Sequence, residues 1–114
     1  MCTKSQLEAI EEEMVNYYRS VYGDSIDTII LYGSYARGDY SDDSDIDITA
    51  IVRGNRVELQ KKLKKMWDFS TEVGLAYDVI VSPTVIPYDE FEQYKEKLPY
   101  YRNIVKEGRK IGWS

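Results

Sequence analysis

The sequence predicts a single small α/β domain. Three observations predict it. Apolar residues at helical spacing alternate along the chain with short Ile- and Val-rich runs, in the order α-β-α-β-α-β-α. The 114 residues suit one domain that buries a core without staples. No internal repeat, low-complexity tract or linker divides the chain, so residues 1–114 are read as one unit.

The first helix opens on Thr3 and Gln6, spaced as a capping box. Leu7, Ile10, Met14, Tyr17 and Val21 follow at steps of three and four, and Gly23-Asp24-Ser25 ends the helix. Ile26 to Tyr32 reads as a buried strand, and Gly33-Ser34 as the turn after it. Ser34 can cap a short helix through Ala36 and Arg37 that ends near Gly38. Asp39 to Ser44 is a polar, acidic loop.

Asp45 to Val52 is the second strand. Ile46, Ile48, Ala50 and Val52 point one way, and Asp45, Asp47 and Thr49 the other. Gly54-Asn55 turns the chain into a second long helix, about 56–73, with Leu59, Leu63, Met66, Trp67 and Val73 as its core stripe. Gly74 ends that helix and Ala76 to Val81 is a third strand, with Pro83 and Pro87 bracketing a turn. Tyr88 to Lys97 forms a helix with Phe91, Tyr94 and Leu98 inward. Pro99 breaks it, and Tyr100 to Glu107 is the last short helix. Arg109 to Ser114 is either an edge strand or a loose tail, with Trp113 in it.

Composition narrows the function. The net charge of -5, from 20 acidic and 15 basic residues, argues against bulk nucleic-acid binding. There is no histidine, which excludes a Ser-His-Asp triad and His metal ligands; acid–base chemistry falls to Asp, Glu, Lys or Tyr. Cys2 is the only cysteine, so no disulfide forms within the chain, which fits a reducing cytoplasm. No apolar run approaches 18 residues, so no membrane span is expected. Lys61, Lys62, Lys64 and Lys65 read as a solvated helix face. The eleven tyrosines divide between packing and interface roles, and Tyr35 and Tyr40 flank the candidate site.

The chemistry concentrates between Gly33 and Asp47. Gly33 permits a close backbone approach, and Ser34 adds a hydroxyl at a turn suited to phosphate. Asp45 and Asp47 sit two apart on a strand, so both carboxylates face one side, roughly 6–7 Å apart. Magnesium favours one or two carboxylates plus substrate phosphates. Asp78 is the third candidate: within the expected third strand it could join the pair, hold a second metal or take the acceptor's proton. Rival motifs fail on spacing. No Gly-Lys-Ser/Thr follows the glycines, so this is no P-loop. Asp43-x-Asp45-x-Asp47 imitates an EF-hand, but Ile48 occupies the Gly position and Gly54 that of the bidentate Glu. A plain acidic loop before a strand is the bland alternative.

Gly33-Ser34-Tyr35-Ala36-Arg37-Gly38 followed by Ser44-Asp45-Ile46-Asp47 resembles the motif of the DNA polymerase beta-like nucleotidyltransferases, and most of all their minimal members (MNT). The ending around Tyr101-Arg102-Asn103-Ile104 also looks typical, so the resemblance spans essentially the whole chain. It implies a nucleotidyltransferase-like fold, a small mixed β-sheet with flanking helices, and Mg²⁺-dependent transfer of a nucleoside monophosphate, AMP from ATP, to a hydroxyl. By position, Gly33, Ser34, Arg37 and Ser44 would serve the nucleotide, with Arg37 on phosphate or bracing the loop. Asp45 and Asp47 would bind metal, and Asp78 would activate the acceptor. The resemblance further implies a HEPN ribonuclease toxin as partner, modified on a tyrosine, with this chain as the antitoxin. That would make a hetero-oligomer, and a homo-oligomer is equally open. Two readings compete: an antitoxin that inhibits by occlusion alone, and an antibiotic-type small-molecule nucleotidyltransferase.

Overall fold

The computed structural model describes residues 3–112; Cys2 and Trp113 lie outside them. Helix α1 (Lys4–Tyr22) starts on the expected capping box, with Thr3 and Gln6 bonded reciprocally. A single 3₁₀ turn leads into β1 (Ile26–Tyr32). The short α2 (Ser34–Arg37) precedes β2 (Ile46–Val52). Then come α3 (Arg56–Tyr77), β3 (Val81–Pro87), α4 (Tyr88–Tyr94), α5 (Pro99–Glu107) and β4 (Arg109–Lys110).

The four strands form one mixed sheet in the order β3-β2-β1-β4. Strands β1 and β2 are antiparallel, β1 and β4 antiparallel, and β2 and β3 parallel, with α3 as the crossover. Helices α1 and α3 cover one face, where Ile10, Met14, Leu31, Ile46, Ile48 and Met66 are fully buried or nearly so. Tyr17 and Phe69 stack between those helices at 4.1 Å. The fully buried Tyr18 donates its hydroxyl hydrogen bond to the Thr84 carbonyl at 2.8 Å, pinning α1 to the sheet. On the other face, Phe91, Tyr101 and Ile104 of α4 and α5 pack on Ile30, Ile51 and Ile86. Both sheet faces are therefore covered, which is why Thr49 is buried although it points away from the first core.

The C-terminal half departs from the expected pattern. The second long helix does not end at Gly74 but continues to Tyr77, and Asp78 takes the left-handed position after it at φ 55°. The amide of Val79 donates to the Gly74 carbonyl at 3.0 Å, the long bond of a Schellman close. Gly74 is needed inside the helix because a Cβ there would meet the Val79 carbonyl oxygen at 2.4 Å. The third strand is thus Val81–Pro87, not Ala76 to Val81, and Asp78 is a helix cap rather than a strand residue. Pro83 and Pro87 lie in the strand. They are tolerated because β3 is an edge strand, where a missing N–H leaves no ladder bond broken.

Pro99 starts α5 at its first position instead of merely breaking the preceding helix. The tail question resolves in part: Arg109 and Lys110 pair with Leu31 and Ile30 as an edge strand. Trp67 and Leu98 leave their expected core places and are 44% and 43% exposed. Among the described residues no helix is long and apolar enough to cross a membrane.

Candidate active site

The site forms where β1 ends and β2 begins. In the antiparallel register Tyr32 stands opposite Asp47, so the residue after Tyr32 turns directly over that carboxylate. The turn is made by Gly33 at φ 77°, ψ −158°, a region open essentially to glycine alone. A Cβ at Gly33 would lie 2.5 Å from Oδ2 of Asp47. The bare glycine backbone and the carboxylate are therefore packed against each other. Gly38, also at positive φ, closes α2.

Asp45 sits just before β2 and Asp47 one residue inside it, both partly buried. Burial raises the Asp47 carboxyl above its ordinary value, the Asp45 charge adds to that, and the Arg37 guanidinium pulls it back down. Two carboxylates that repel one another at the rim of a sheet fit a hard cation: it would draw on both and complete its shell with substrate oxygens. Among the described residues, no group of three His, Cys, Asp or Glu side chains is gathered to hold a metal ion. The partner of Asp47 on β3 is Ser82, followed by Pro83 beside Ile48 and Thr84 beside Thr49. No carboxylate occupies β3, so the expected strand triad of Asp45, Asp47 and Asp78 is not assembled.

Arg37 lies in reach of the site but is engaged. Its Nε donates to Asp39 at 3.2 Å and one terminal nitrogen to Glu107 at 3.0 Å, which ties α2 to the end of α5. Those two carboxylates hold its charge firmly, raising its pKa further. Ser44 shapes the acidic loop: its hydroxyl accepts from the Ser41 amide at 2.9 Å, and its own amide donates to the Ser41 carbonyl. Tyr35 and Tyr40 stack on each other at 4.2 Å, nearly parallel, so their aromatic faces pack together beside the turn.

Asp78 does reach the neighbourhood of Asp45 by another route. The Ile46 amide donates to the Ile80 carbonyl at 2.8 Å, which lays the start of β2 against the chain leaving α3. A cleft of about 470 Å³ opens there, with Asp45 and Asp78 on its walls. Tyr32, Ser82 and Trp67 are the site neighbours that the sequence pattern missed. The signal for Tyr32 and Ser82 is strand register, which no local spacing carries. Tyr32 shares a 2.9 Å hydroxyl contact with Tyr100, and burial raises its pKa strongly.

Sheet and site together define a class: an α/β domain with a mixed sheet, a glycine turn packed on Asp47 and a second carboxylate, Asp45, just before the same strand. Comparison with known proteins supplies the family. The family model described as "Nucleotidyltransferase domain" matches residues 8–111. The chain therefore belongs to the nucleotidyltransferase domain family. Two relatives come from Methanocaldococcus jannaschii. "Putative protein adenylyltransferase MJ0604" is 37% identical over 98 residues, covering 86% of this chain and 90% of the relative. "Putative protein adenylyltransferase MJ0141" is 32% identical over 97 residues, covering 77% and 96%. Among solved structures, a chain of a toxin–antitoxin MntA-HpeT variant superposes with a TM-score of 0.55 at 17% identity, covering 88% of this chain and 70% of that one. A chain of a toxin–antitoxin crystallised with AMP-PNP gives 0.54 at 17% identity, covering 90% and 70%. At that identity the likeness concerns the fold.

Proposed function

We propose that this protein transfers AMP from ATP to a tyrosine hydroxyl of a partner protein, and that the partner is a HEPN ribonuclease toxin for which this chain is the antitoxin. The observation that carries the reading is the packing of Gly33 on Asp47, with Asp45 two residues away. It sets a phosphate-holding turn directly against a cation-holding pair. Gly33, Ser34 and Ser44 serve the triphosphate, and Arg37 braces α2 over it. Asp45 and Asp47 hold Mg²⁺, which when bound supplies charge neutralisation at the phosphates. The acceptor oxygen forms its bond to the α-phosphorus, the α–β phosphoanhydride bond breaks, and pyrophosphate leaves.

The register adds a reason for a phenolic acceptor. With Ser82 beside Asp47, no third carboxylate on β3 stands ready as a dedicated base. A phenol, with a pKa near ~10, gives up its proton far more readily than an aliphatic hydroxyl, and can release it to solvent. Protein adenylyl transfer agrees with the names of the two archaeal relatives. The toxin–antitoxin setting agrees with the fold neighbours, one of them crystallised with an ATP analogue. The HEPN identity of the partner rests on the motif resemblance. The same reading places the protein in the cytoplasm with its ATP.

The test is incubation with α-labelled ATP, Mg²⁺ and the product of the neighbouring gene. Label on a partner tyrosine, lost with Asp45→Ala plus Asp47→Ala and on removal of Mg²⁺, is expected. Neutralisation that persists in the double variant would overturn catalysis and leave an antitoxin that acts by occlusion.

A further inference from the structure

We propose that the cleft beside Asp45 is the docking groove for the acceptor polypeptide, and that it selects a segment with Lys or Arg around the acceptor tyrosine and an apolar side chain next to them. This deepens the AMP-transfer reading and rests on it. The cleft, about 470 Å³, lies between the acidic loop and the outer face of α3. One wall is apolar and exposed: Trp67 is 44%, Leu75 80% and Ile80 62% exposed. Large apolar groups gathered on one patch of a small domain mark an interaction surface more than solvated decoration.

The cleft is also acidic. Among the described residues, Asp42, Asp43, Asp45 and Asp78 line the cleft, and no Lys or Arg does. The basic run at Lys61, Lys62, Lys64 and Lys65 lies earlier on α3 and contributes nothing to these walls. Such a field repels phosphodiesters and so rejects RNA as the occupant, while it attracts and orients a cationic polypeptide. The placement is also mechanistically apt. Asp45 belongs both to the cleft and to the catalytic pair, so a segment lying in the groove ends at the reacting centre.

The Asp78 position strengthens the argument. A left-handed helix cap is ordinarily glycine or asparagine. Here an aspartate holds it and lines the cleft. Trp67, expected in the core, is instead placed where an apolar group of the incoming chain would cover it.

The experiment uses the full chain with Trp113→Phe, so that Trp67 is the only indole. Two synthetic peptides of equal length carry a central tyrosine, one flanked by Arg and Leu, the other by Glu and Leu. The basic peptide is expected to shift Trp67 emission and to bind roughly tenfold or more tighter than the acidic one, with affinity falling as salt rises. Leu75→Lys should weaken basic-peptide binding several-fold, while calorimetric Mg·ATP binding stays unchanged, and Asp78→Asn should also weaken the basic peptide several-fold. Both positions are exposed, and circular dichroism confirms the fold of each variant. Equal affinity for the two peptides, no emission change, or variants that bind as before would overturn the groove, as would an RNA oligonucleotide competing for Trp67. A basic peptide that binds but takes no label from ATP supports the groove and overturns the transfer reading alone. A partner that takes label while the cleft variants change nothing overturns the groove alone.

Discussion

Replacing Gly33 by alanine should damage both the fold and the site, through two separable causes. The first is backbone strain. At φ 77°, ψ −158° a residue with a Cβ is held in a region that costs about 1–3 kcal/mol. The second is a collision. The new Cβ would lie 2.5 Å from Asp47 Oδ2, where ordinary contact begins at 3.4 Å. The carboxylate must therefore swing off its rotamer, at a further ~0.5–1.5 kcal/mol. The strain alone lowers Tm by roughly 4–15 °C in a domain of this size. On the proposed function, a displacement of about 1 Å at Asp47 also costs on the order of a hundredfold in transfer rate, although both Asp45 and Asp47 are still present.

The two causes separate in a double-mutant cycle. In Asp47→Ala the nearest remaining atom to the Gly33 Cβ position is the residue-47 Cβ at 3.6 Å, an ordinary contact. Gly33→Ala in that background should therefore cost the strain and not the collision. Urea unfolding of the four proteins should give a coupling of about 0.5–1.5 kcal/mol. Zero coupling, or a Gly33→Ala protein that melts at or above the parent temperature, would refute the reasoning.

Asp78→Gly should stabilise the fold by about 1 kcal/mol, because glycine adopts the left-handed cap without a Cβ penalty; thermal melting reads it. Tyr18→Phe should cost about 1 kcal/mol with the fold intact, since it removes the hydroxyl that spans from α1 to the Thr84 carbonyl. Glu90 joins Arg56 at 3.0 Å and 2.5 Å and accepts from Tyr101 at 2.7 Å, linking the starts of α3 and α4 to α5. Arg56, with help from Tyr101, holds its carboxyl below the ordinary value. A depressed folded-state pKa gives stability that is full above the ordinary carboxylate range and lost as pH falls through the lowered value. Denaturant midpoints should accordingly drop below about pH 4.5, and Glu90→Gln should flatten that part of the profile.

The first half of the molecule was legible residue by residue. The capping box, the amphipathic α1, the Ile-rich β1, the Gly33 turn and the alternation of β2 are set by interactions within a few residues. Those local rules also placed Asp45 and Asp47 together. The second half misled because its local signals pointed the wrong way. Gly74 reads as a helix stop, yet it is a close-approach residue inside the helix, and Asp78 does the capping. Two prolines read as a turn, yet they lie in a strand whose outer edge has no partner to lose.

By itself, the sequence determined the fold class, the Gly33 turn and the neighbouring Asp45 and Asp47, because periodicity and glycine stereochemistry act over short range. Tertiary structure decided which atoms meet. Register put Tyr32 opposite Asp47 and Ser82, not a carboxylate, beside it. The Schellman close of α3 moved Asp78 from a strand to the lip of a cleft, and the Ile46–Ile80 hydrogen bond brought Asp45 to the same cleft. The Tyr32–Asp47 pairing spans 15 positions, and the Asp47–Ser82 and Ile46–Ile80 contacts span 35 and 34. They are fixed by sheet pairing and helix packing, which depend on the whole chain closing around its core.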